Sequence, residues 1–407
     1  MGVYNADTVS PADLRTFATL TAATAPARRL RLAILGTRGI PACYGGFETF
    51  AEELGARLSA RGHDVTVYGR SRYVPRQLGH HRGCRLIVRP TVPHKYLDTV
   101  VHSAICALDS LGRGYDAAIV CNAANAFVAW MPRVVGTRVV LNVDGLERKR
   151  RKWNALGRAW YRMSERLSTW TPNAIVTDAR VIETYYRERY GAPSTYIAYG
   201  ATLDRTDQRE TLDQLGLQPG RYILYVSRLE PENNALAVIE GYQQAGLEVP
   251  LVIVGDAPYA SEYIASLRKA AGPGVHFTGA IYGSGYRQLQ SNAAMYVHAT
   301  EVGGTHPALV EALGVGGVVL SHDESANRET AGDAAEYFDA RQPETLARLL
   351  SRLWEAPAER EALGRRAAER ARRLYSWDAV TDAYEQLCLR PADRRGASGV
   401  PAEAGRS

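Results

Sequence analysis

The sequence is poor in cysteine and has no long apolar run, and each of these scarcities excludes a class of protein. Its five cysteines are odd in number and scattered, and none of them forms a Cys-x-x-Cys pair. We therefore expect neither a disulfide framework nor a zinc site, and a reducing cytoplasm is the expected location. No run of eighteen apolar residues occurs, so no membrane-spanning helix is predicted.

Length and composition are those of a globular protein with more than one core. A chain of 407 residues predicts two domains, each of about 150–200 residues. Its net charge of +6 is compatible with nucleic acid, anionic lipid or phosphate ligands, but it does not choose among them. Residues 1–28 have no basic segment ahead of an apolar block, so we predict a disordered extension rather than a signal peptide.

Short apolar segments alternate with amphipathic helical segments along most of the chain. Apolar strands separated by helices indicate parallel sheets that are covered on both faces. Six strands in each half predict an α/β protein with two doubly wound domains of the Rossmann type. The predicted strands are 30–36, 64–68, 85–88, 116–121, 138–143 and 174–177 in the first half, and 222–227, 250–254, 275–278, 294–298, 317–321 and 335–338 in the second.

A polar segment, residues 200–220, separates the two halves and ends in the turn-forming pair Pro219-Gly220. We place the first domain at residues 29–205 and the second at residues 206–374. Residues 389–407 are rich in Arg, Ala, Gly and Pro, and they are predicted to form a disordered tail.

Four glycines lie between the first strand and the first helix, which the apolar spacing places near Gly45-Gly46. Glycines at a helix N-terminus allow backbone N–H groups to approach an anion, and the helix dipole favours negative charge there. The alternative is a tight turn that needs glycine only for its geometry. We favour a ligand loop.

This loop does not have the pattern of a dinucleotide site or a P-loop. The spacing is not Gly-x-Gly-x-x-Gly, and the second strand ends without an acidic residue for a ribose hydroxyl. Arg70 at that end is compatible with a 2′-phosphate, so a nicotinamide-dependent oxidoreductase remains a weaker alternative.

In the second half, polar and glycine-rich loops follow two strands at their carboxyl ends, where open α/β sheets bind ligands. Arg228 is suited to a diphosphate, and Gly303-Gly304-Thr305 offers N–H groups at the start of a helix. Glu311, one turn into that helix, is suited to ribose hydroxyls. A surface salt bridge for Arg228 and a solvated carboxylate for Glu311 are the alternatives for each residue alone. Together they favour a nucleotide site.

Several motifs carry a resemblance to a known family. Residues 227–234 (SRLEPENN) and 303–311 resemble the donor motifs of family-4 retaining glycosyltransferases with the GT-B fold. The more particular segments, 36–41 (GTRGIP), 44–49 (YGGFET) and 142–147 (NVDGLE), resemble the bacterial rhamnosyltransferase-like branch of that family. The likeness covers residues 30–387. It implies two domains facing a central cleft and a final helix, 375–388, that crosses back to the first domain.

Two positions depart from the broad family pattern. Asn233 stands where the family has a lysine, and Gly303 stands where it has its first glutamate, for which the nearby Glu301 is a candidate substitute. The rhamnosyltransferase-like branch resembles this chain in both changes, which indicates a donor-specific variation.

The resemblance implies which residues act in the reaction. Arg228, the Gly45-Gly46 helix start and the Gly303-Gly304 loop would stabilise the charge of the departing nucleoside diphosphate. No Asp-x-Asp motif occurs, so neither a metal nor another cofactor is expected. The implied catalytic residues are Arg228, Asp144 and Glu301, and the implied donor-binding residues are Gly45, Gly46, Arg228, Asn233, His298, Gly303, Gly304, Thr305 and Glu311.

Two of these residues have ordinary structural alternatives. Asp144 stands where many relatives carry a histidine that faces the reacting sugar, but an aspartate between a strand and a helix is also a common N-cap. His298 ends a strand beside the donor loop, and a structural histidine is an equal alternative to a ligand contact.

A basic segment, residues 148–166, contains eight Lys or Arg side chains around apolar residues spaced three or four apart. One interpretation is a helix that contacts an anionic, lipid-linked acceptor at a membrane surface. The other, which we favour, is an apolar stripe that faces the core and leaves a solvated basic face. The stripe comprises Trp153, Leu156, Trp160, Met163 and Leu167.

The sequence thus predicts a cytoplasmic glycosyltransferase that uses a dTDP- or UDP-sugar, with rhamnose favoured by the branch resemblance alone. The implied acceptor is a glycan or a lipid-linked molecule, and no nucleic-acid partner is expected. The alternative is a non-catalytic nucleotide-sugar or glycan-binding module whose altered second-domain motif has lost turnover.

Overall fold

The computed structural model describes residues 28–391, except Tyr44, Pro93, Lys95, Tyr96, Lys152 and Pro258. Most of the predicted N-terminal extension and the predicted tail beyond residue 391 lie outside the described residues. Within the described part of the chain, two parallel β-sheets are each covered by helices on both faces.

The first sheet has eight strands in the order β3-β4-β2-β1-β5-β6-β7-β8, and only the β3–β4 pair is antiparallel. All six strands predicted for this half are present, with bounds shifted by one or two residues. The two-residue strands β3 and β8 were not predicted, because two residues carry no periodic pattern. The strands are β1 Arg31–Leu35, β2 Asp64–Arg70, β3 His80–His81, β4 Cys84–Arg89, β5 Ala117–Cys121, β6 Arg138–Asn142, β7 Ala174–Thr177 and β8 Thr195–Tyr196.

The second sheet has six strands in the order β11-β10-β9-β12-β13-β14, and all pairs are parallel. The six strands predicted for this half are confirmed. They are β9 Ile223–Val226, β10 Leu251–Val254, β11 Val275–Gly279, β12 Met295–His298, β13 Val319–His322 and β14 Ala335–Phe338.

Thirteen α-helices accompany these strands in the described residues. The first five are α1 Gly46–Ala60, α2 Leu97–Ser110, α3 Ala155–Leu167, α4 Arg180–Tyr190 and α5 Glu210–Gln214. The others are α6 Ala235–Ala245, α7 Ser261–Ala270, α8 Gly283–Asn292, α9 Pro307–Gly314, α10 Ser325–Ala331, α11 Pro343–Glu355, α12 Pro357–Leu374 and α13 Trp377–Leu389. Short 3₁₀ turns include Ala123–Val128, Pro132–Val135, Glu147–Lys149 and Pro231–Asn233.

Alternating side chains of the central strands form a core on each face of a sheet. In β1, Leu32 and Ile34 belong to one apolar cluster, while Ala33 and Leu35 belong to the cluster on the opposite face. Because both faces are covered, consecutive residues inside β1 are apolar and buried, instead of alternating with polar residues. This explains why continuous apolar runs located the strands well.

Helix α13 packs against the first sheet, although it follows the second sheet in the sequence. Trp377, Val380 and Tyr384 are buried in the same cluster as β1, and the Asn142 side-chain amide donates to the Tyr384 hydroxyl at 2.9 Å. The chain therefore passes twice between the two sheets.

The basic segment does not form the single helix predicted for residues 148–166. Glu147–Lys149 is one 3₁₀ turn, and the α-helix begins only at Ala155, where the Asn154 side chain accepts from the Gly157 N–H at 3.0 Å. The predicted core-facing stripe is also wrong, because Leu156 is 72% and Met163 is 44% exposed. Helix α3 instead buries a different face, formed by Gly157, Tyr161, Ser164 and Glu165.

The orientation of α3 has an electrostatic cause. The buried Glu165 carboxylate accepts from the guanidinium of Arg148 at 3.0 Å and from the hydroxyl of Tyr185 at 2.9 Å. A buried carboxylate needs such partners, so this face turns inward and the more apolar face remains at the surface. In the described residues, no helix is both long enough and apolar enough to cross a membrane.

The docking of α13 yields a stability prediction. Trp377 is 5% exposed, and replacing a buried tryptophan with alanine is expected to cost about 3–5 kcal/mol of unfolding free energy. The matched control is Trp170→Ala, because Trp170 is 62% exposed and its loss is expected to cost no more than about 0.5 kcal/mol. Denaturant unfolding would measure both, and equal costs would contradict the packing described here.

Candidate functional site

The two domains meet through glycines at the carboxyl ends of their strands. A Cβ atom on Gly46, at the start of α1, would lie 2.7 Å from the Pro307 side chain at the start of α9. A Cβ atom on Gly145 would lie 2.6 Å from the carbonyl carbon of Gly303. Such distances leave no room for a larger side chain. The N-termini of α1 and α9 are therefore in contact at the boundary between the two domains.

Arg228 follows β9 and lies in the cleft between the two domains, with its side chain 29% exposed and Nη2 3.6 Å from the Glu230 carboxylate. The turn after it is held by Asn233, whose side-chain amide donates to the Arg228 carbonyl at 2.7 Å. The Tyr225 hydroxyl in turn donates to the Asn233 carbonyl at 2.6 Å. Asn233 therefore fixes the backbone that carries Arg228, and its predicted contact with the donor stays a prediction.

Glu301 lies at the edge of the cleft, where both domains contribute its partners. Its carboxylate accepts from the Asn234 side chain at 3.1 Å and from Arg151 of the first domain at 3.2 Å. Its backbone N–H donates to the Glu232 carbonyl at 3.0 Å. The side chain is close to the Arg228 turn, as a substitute for the family's first glutamate needs to be.

Asp144 is not the N-cap that its position in the sequence suggested. The next helical turn, Glu147–Lys149, is preceded by Leu146, and Asp144 itself has a left-handed backbone with φ of +60°. Burial, together with the neighbouring Glu147 carboxylate, raises the pKa of Asp144 to about 6, against the opposing effect of Arg150 and Arg228. The side chain is thus part of the charge network around Arg228.

Asp178, directly after β7, contacts the predicted donor loop, although it was not predicted from the sequence. It is fully buried, and a Cβ atom on Gly304 would lie 2.3 Å from its carboxylate. The Thr305 hydroxyl donates to its backbone carbonyl, so the donor loop is attached to the end of β7. Burial and the Asp144 carboxylate raise the pKa of Asp178. An acidic residue directly after a predicted strand was the available signal, as for Asp144.

Two histidines lie behind the glycine loop with their rings 4.9 Å apart. Burial lowers the pKa of His298, and the neighbouring His306 lowers it further. Burial and the Arg150 and Arg228 guanidiniums lower the pKa of His306 to about 3. Both rings are therefore neutral at physiological pH. His298 packs inside the domain beside Tyr296, whereas His306, which the sequence analysis missed, is the residue next to the guanidiniums.

Glu311 lies one turn into α9 and is not a freely solvated carboxylate. It accepts a hydrogen bond from the Tyr286 hydroxyl at 2.7 Å. Burial raises its pKa to about 7; the Tyr286 hydrogen bond opposes this effect and the Glu53 carboxylate of α1 adds to it. A carboxylate in this position can accept hydrogen bonds from a sugar hydroxyl.

Arg150, predicted to belong to a basic surface, instead points into the cleft. It is 8% exposed, and its Nε donates to the Glu147 carboxylate at 2.5 Å. Its Nη1 lies 3.6 Å from Glu230 and 3.8 Å from Glu232, both of which belong to the second domain. The Arg150 side chain turns inward because the Glu230 and Glu232 carboxylates of the second domain attract its guanidinium.

Comparisons with known families divide the chain into two matching parts. Residues 207–370 match the family described as glycosyl transferases group 1. Residues 116–202 match a domain of unknown function, DUF1972. No curated protein sequence matches the chain.

Several solved structures share the fold over most of the chain. Sucrose-phosphate synthase from Thermosynechococcus elongatus has a TM-score of 0.74 and 21% identity, covering 88% of this chain and 98% of that one. HepE from Anabaena, solved with UDP and glucose, has a TM-score of 0.72 and 16% identity over 88% and 99% of the two chains. An α,α-trehalose-phosphate synthase from Burkholderia xenovorans, solved with glucose-6-phosphate, has a TM-score of 0.68 and 13% identity over 88% and 99%.

Likeness at these identities shows the fold alone, and it confirms the GT-B arrangement predicted from the sequence. The chain consists of two doubly wound α/β domains that face a central cleft. Together with the group 1 match, the findings support a GT-B glycosyltransferase.

The raised pKa of Glu311 predicts a pH-dependent stability. With a pKa of about 7 in the folded state against 4.5 ordinarily, the native protein retains a proton that the unfolded chain releases, so stability falls as pH rises through this window. We expect Glu311→Gln to be more stable than the parent at pH 8, by on the order of 1 kcal/mol or more, and nearly equal to it at pH 4.5.

Thermal unfolding at both pH values would measure the difference between variant and parent. Glu361→Gln is the control, because its side chain is 73% exposed and no pH-dependent difference is expected. At each pH, the stability of Glu311→Gln is compared with that of the parent. If the variant gained less at pH 8 than at pH 4.5, the raised pKa of Glu311 would be contradicted.

Proposed function

We propose that this protein transfers a sugar from a nucleotide-diphosphate donor to a glycan or lipid-linked acceptor with retention of configuration, and that rhamnose is the favoured sugar. The observation that carries the proposal is that Arg228 lies close enough to His306, just before α9, to lower its pKa, while the first residue of α9, Pro307, contacts Gly46 at the start of α1. The group 1 match of the second domain supports sugar transfer. Rhamnose and retention rest on the resemblance of the sequence motifs.

The leaving group explains why this arrangement suits the reaction. Cleavage of the anomeric bond releases a nucleoside diphosphate, whose negative charge grows in the transition state. Helix N-termini offer N–H donors and a positive partial charge, and Arg228 adds a full charge. Preorganised donors of this kind lower the barrier most when they are already in place before the reaction.

The donor nucleotide extends along the second domain in this proposal. Glu311 accepts hydrogen bonds from ribose hydroxyls, and Gly303, Gly304 and Thr305 present N–H groups to the phosphates. HepE, which has the same fold, was solved with UDP and glucose, and this supports a nucleoside-diphosphate donor. Both dTDP- and UDP-sugars are candidates.

In this proposal both Asp144, which lies in the charge network around Arg228, and Glu301, which is bonded to Asn234 and Arg151, contact the reacting sugar. With a pKa near 6, Asp144 is largely ionised at neutral pH and can accept a hydrogen bond from the acceptor hydroxyl or the donor sugar. In a same-face attack, the departing phosphate takes the acceptor proton, so neither carboxylate needs to act as a nucleophile. Glu301 then orients the sugar hydroxyls.

Arg228→Ala is expected to lower kcat/KM for donor hydrolysis by about 10²–10³, as loss of one oxyanion donor does. The protein should remain folded, because the Arg228 side chain is 29% exposed. Incubation with a panel of dTDP- and UDP-sugars, with the released nucleoside diphosphate quantified, would identify the donor and measure the loss.

The matched control is Arg221→Ala, because Arg221 precedes β9 at its opposite end and is exposed. Full turnover by Arg228→Ala at limiting donor would contradict the assignment of the site. If the parent protein bound nucleotide sugars without cleaving any of them, the non-catalytic binding module would be supported instead.

A surface beside the first domain supports contact with a membrane that carries a lipid-linked acceptor. Helix α3 packs on the 3₁₀ turn Ala123–Val128, and Arg133 donates to the Trp170 and Thr171 carbonyls, which joins the Pro132–Val135 turn to the end of α3. We call this surface the apolar–basic face. It exposes Trp130, Val134, Val135, Leu156, Met163 and Trp170, together with Arg158, Arg162 and Arg166.

Large apolar side chains flanked by arginines are typical of proteins that bind the surface of an anionic bilayer. We expect the protein to bind phosphatidylglycerol vesicles but not phosphatidylcholine vesicles, and to bind less tightly at high salt. The double variant Leu156→Ser/Met163→Ser should weaken vesicle binding by about tenfold or more, because it removes apolar area that would enter the bilayer.

Leu374→Ser serves as the control, since Leu374 is 43% exposed but lies in the second domain. Co-sedimentation with vesicles would measure binding. Equal binding by the double variant and the parent would exclude the apolar–basic face as the membrane contact.

A further inference from the structure

We propose that Arg150 of the first domain supplies a second guanidinium to the diphosphate of the donor, opposite Arg228 of the second domain. The inference deepens the proposed function and rests on it, because it concerns the same donor site. Three observations support it. One nitrogen of the buried Arg150 guanidinium has no hydrogen-bond partner among the described residues, Arg150 lies near Arg228, and the two arginines belong to different domains.

The Arg150 guanidinium is buried with hydrogen-bonding capacity left over. Its Nε is bonded to Glu147, but Nη1 is inaccessible to solvent and has no hydrogen-bond partner among the described residues. The nearest carboxylate oxygens, on Glu230 and Glu232, lie at 3.6 and 3.8 Å, beyond ordinary hydrogen-bond distance. A buried donor left unbonded is costly, so a ligand oxygen that accepts from Nη1 would regain this energy.

Arg150 and Arg228 can reach one anion together. Nη1 of Arg150 and Nη2 of Arg228 each lie 3.6 Å from the same oxygen, Oε2 of Glu230. The two nitrogens are therefore at most 7.2 Å apart, twice that distance. The Glu230 carboxylate is thus a neighbour of both guanidiniums, and in the proposed complex a phosphate oxygen, which also carries negative charge and accepts hydrogen bonds, replaces it as their shared partner.

Charge at this end of β9 is otherwise insufficient for a diphosphate. Asn233 is neutral, and its amide nitrogen is bonded to the Arg228 carbonyl. His306 lies near both guanidiniums, but it is neutral at physiological pH because its pKa is about 3. Arg228 alone would thus face a leaving group that carries two or more negative charges. Arg150 can share this charge, because its guanidinium lies within 3.6 Å of the same Glu230 oxygen as that of Arg228.

The surrounding carboxylates orient the two guanidiniums. Glu147 holds Arg150 from its own domain, while Glu230 and Glu232 face it from the other domain. Since Arg150 is carried by the first domain and Arg228 by the second, a diphosphate that contacts both cations lies at the boundary between the two domains.

The decisive measurement is the preference for a diphosphate over a monophosphate. Calorimetric titration with UDP and UMP, and with dTDP and dTMP, gives the ratio of monophosphate Kd to diphosphate Kd for each nucleotide pair. Arg150→Gln is expected to reduce this ratio by about 10- to 100-fold, the effect of losing a hydrogen bond to a charged group. Monophosphate affinity should stay unchanged, which a merely structural role of Arg150 would not produce.

Arg151→Gln is the matched control. Arg151 is the next residue along the chain, its side chain is 62% exposed, and it forms its own ion pair with Glu301 of the second domain. For Arg151→Gln, the ratio of monophosphate Kd to diphosphate Kd should equal that of the parent protein. An equal loss in Arg151→Gln would show that any ion pair across the domains has this effect and would overturn the assignment to Arg150.

If Arg150→Gln does not fold, the double variant Arg150→Gln/Glu232→Gln removes a cation together with a carboxylate that it faces. The same reduction in the ratio is expected from this charge-matched variant. A parental ratio in either variant would overturn the inference and leave the proposed function intact. A parent protein without any preference for diphosphates would contradict the proposed function itself.

Discussion

The site depends on a contact between two backbones that has no side chain in it. Gly145 and Gly303 approach so closely that a Cβ atom on Gly145 would lie 2.6 Å from the Gly303 carbonyl carbon. Gly46 in turn leaves room for the Pro307 ring, since a Cβ atom on Gly46 would lie 2.7 Å from its Cγ. These contacts bring together the N-termini of two helices that are far apart in the sequence. Any larger residue at these glycines would separate the domains and the groups that they carry.

This closeness also determines the electrostatics of the cleft. Asp144, Asp178 and Glu311 are pressed against the other domain or against apolar neighbours, and burial raises the pKa of each one. The guanidiniums of Arg150 and Arg228 lie among carboxylates from both domains. Burial and these two guanidiniums keep His306 neutral. The cleft therefore has charges in defined positions before any ligand enters.

Residues at the two ends of the basic segment differ in burial, although they are close together in the sequence. Arg150 is drawn into the cleft by Glu230 and Glu232, whereas Leu156 and Met163, only a few residues later, remain at the surface. The sequence pattern suggested one amphipathic helix across both. The pattern could not show that Glu165 is buried with Arg148 and Tyr185, and that contact decides which face of α3 turns inward.

Local pattern by itself determined the strands, the helix start at Gly45-Gly46 and the location of the two glycine-rich loops, because buried parallel strands and glycine-rich turns have strong short-range signatures. The motifs also identified Arg228 and Glu311 as candidates. Only the tertiary structure decided that Asp178, His306 and Arg150 join them, that Asp144 is not an N-cap, and that Asn233 holds a turn. The reason is physical: the burial and ion pairing of Asp178 and Arg150 depend on contacts with the second domain, such as Gly304 and Glu230, which are far away in the sequence. No local pattern contains these contacts.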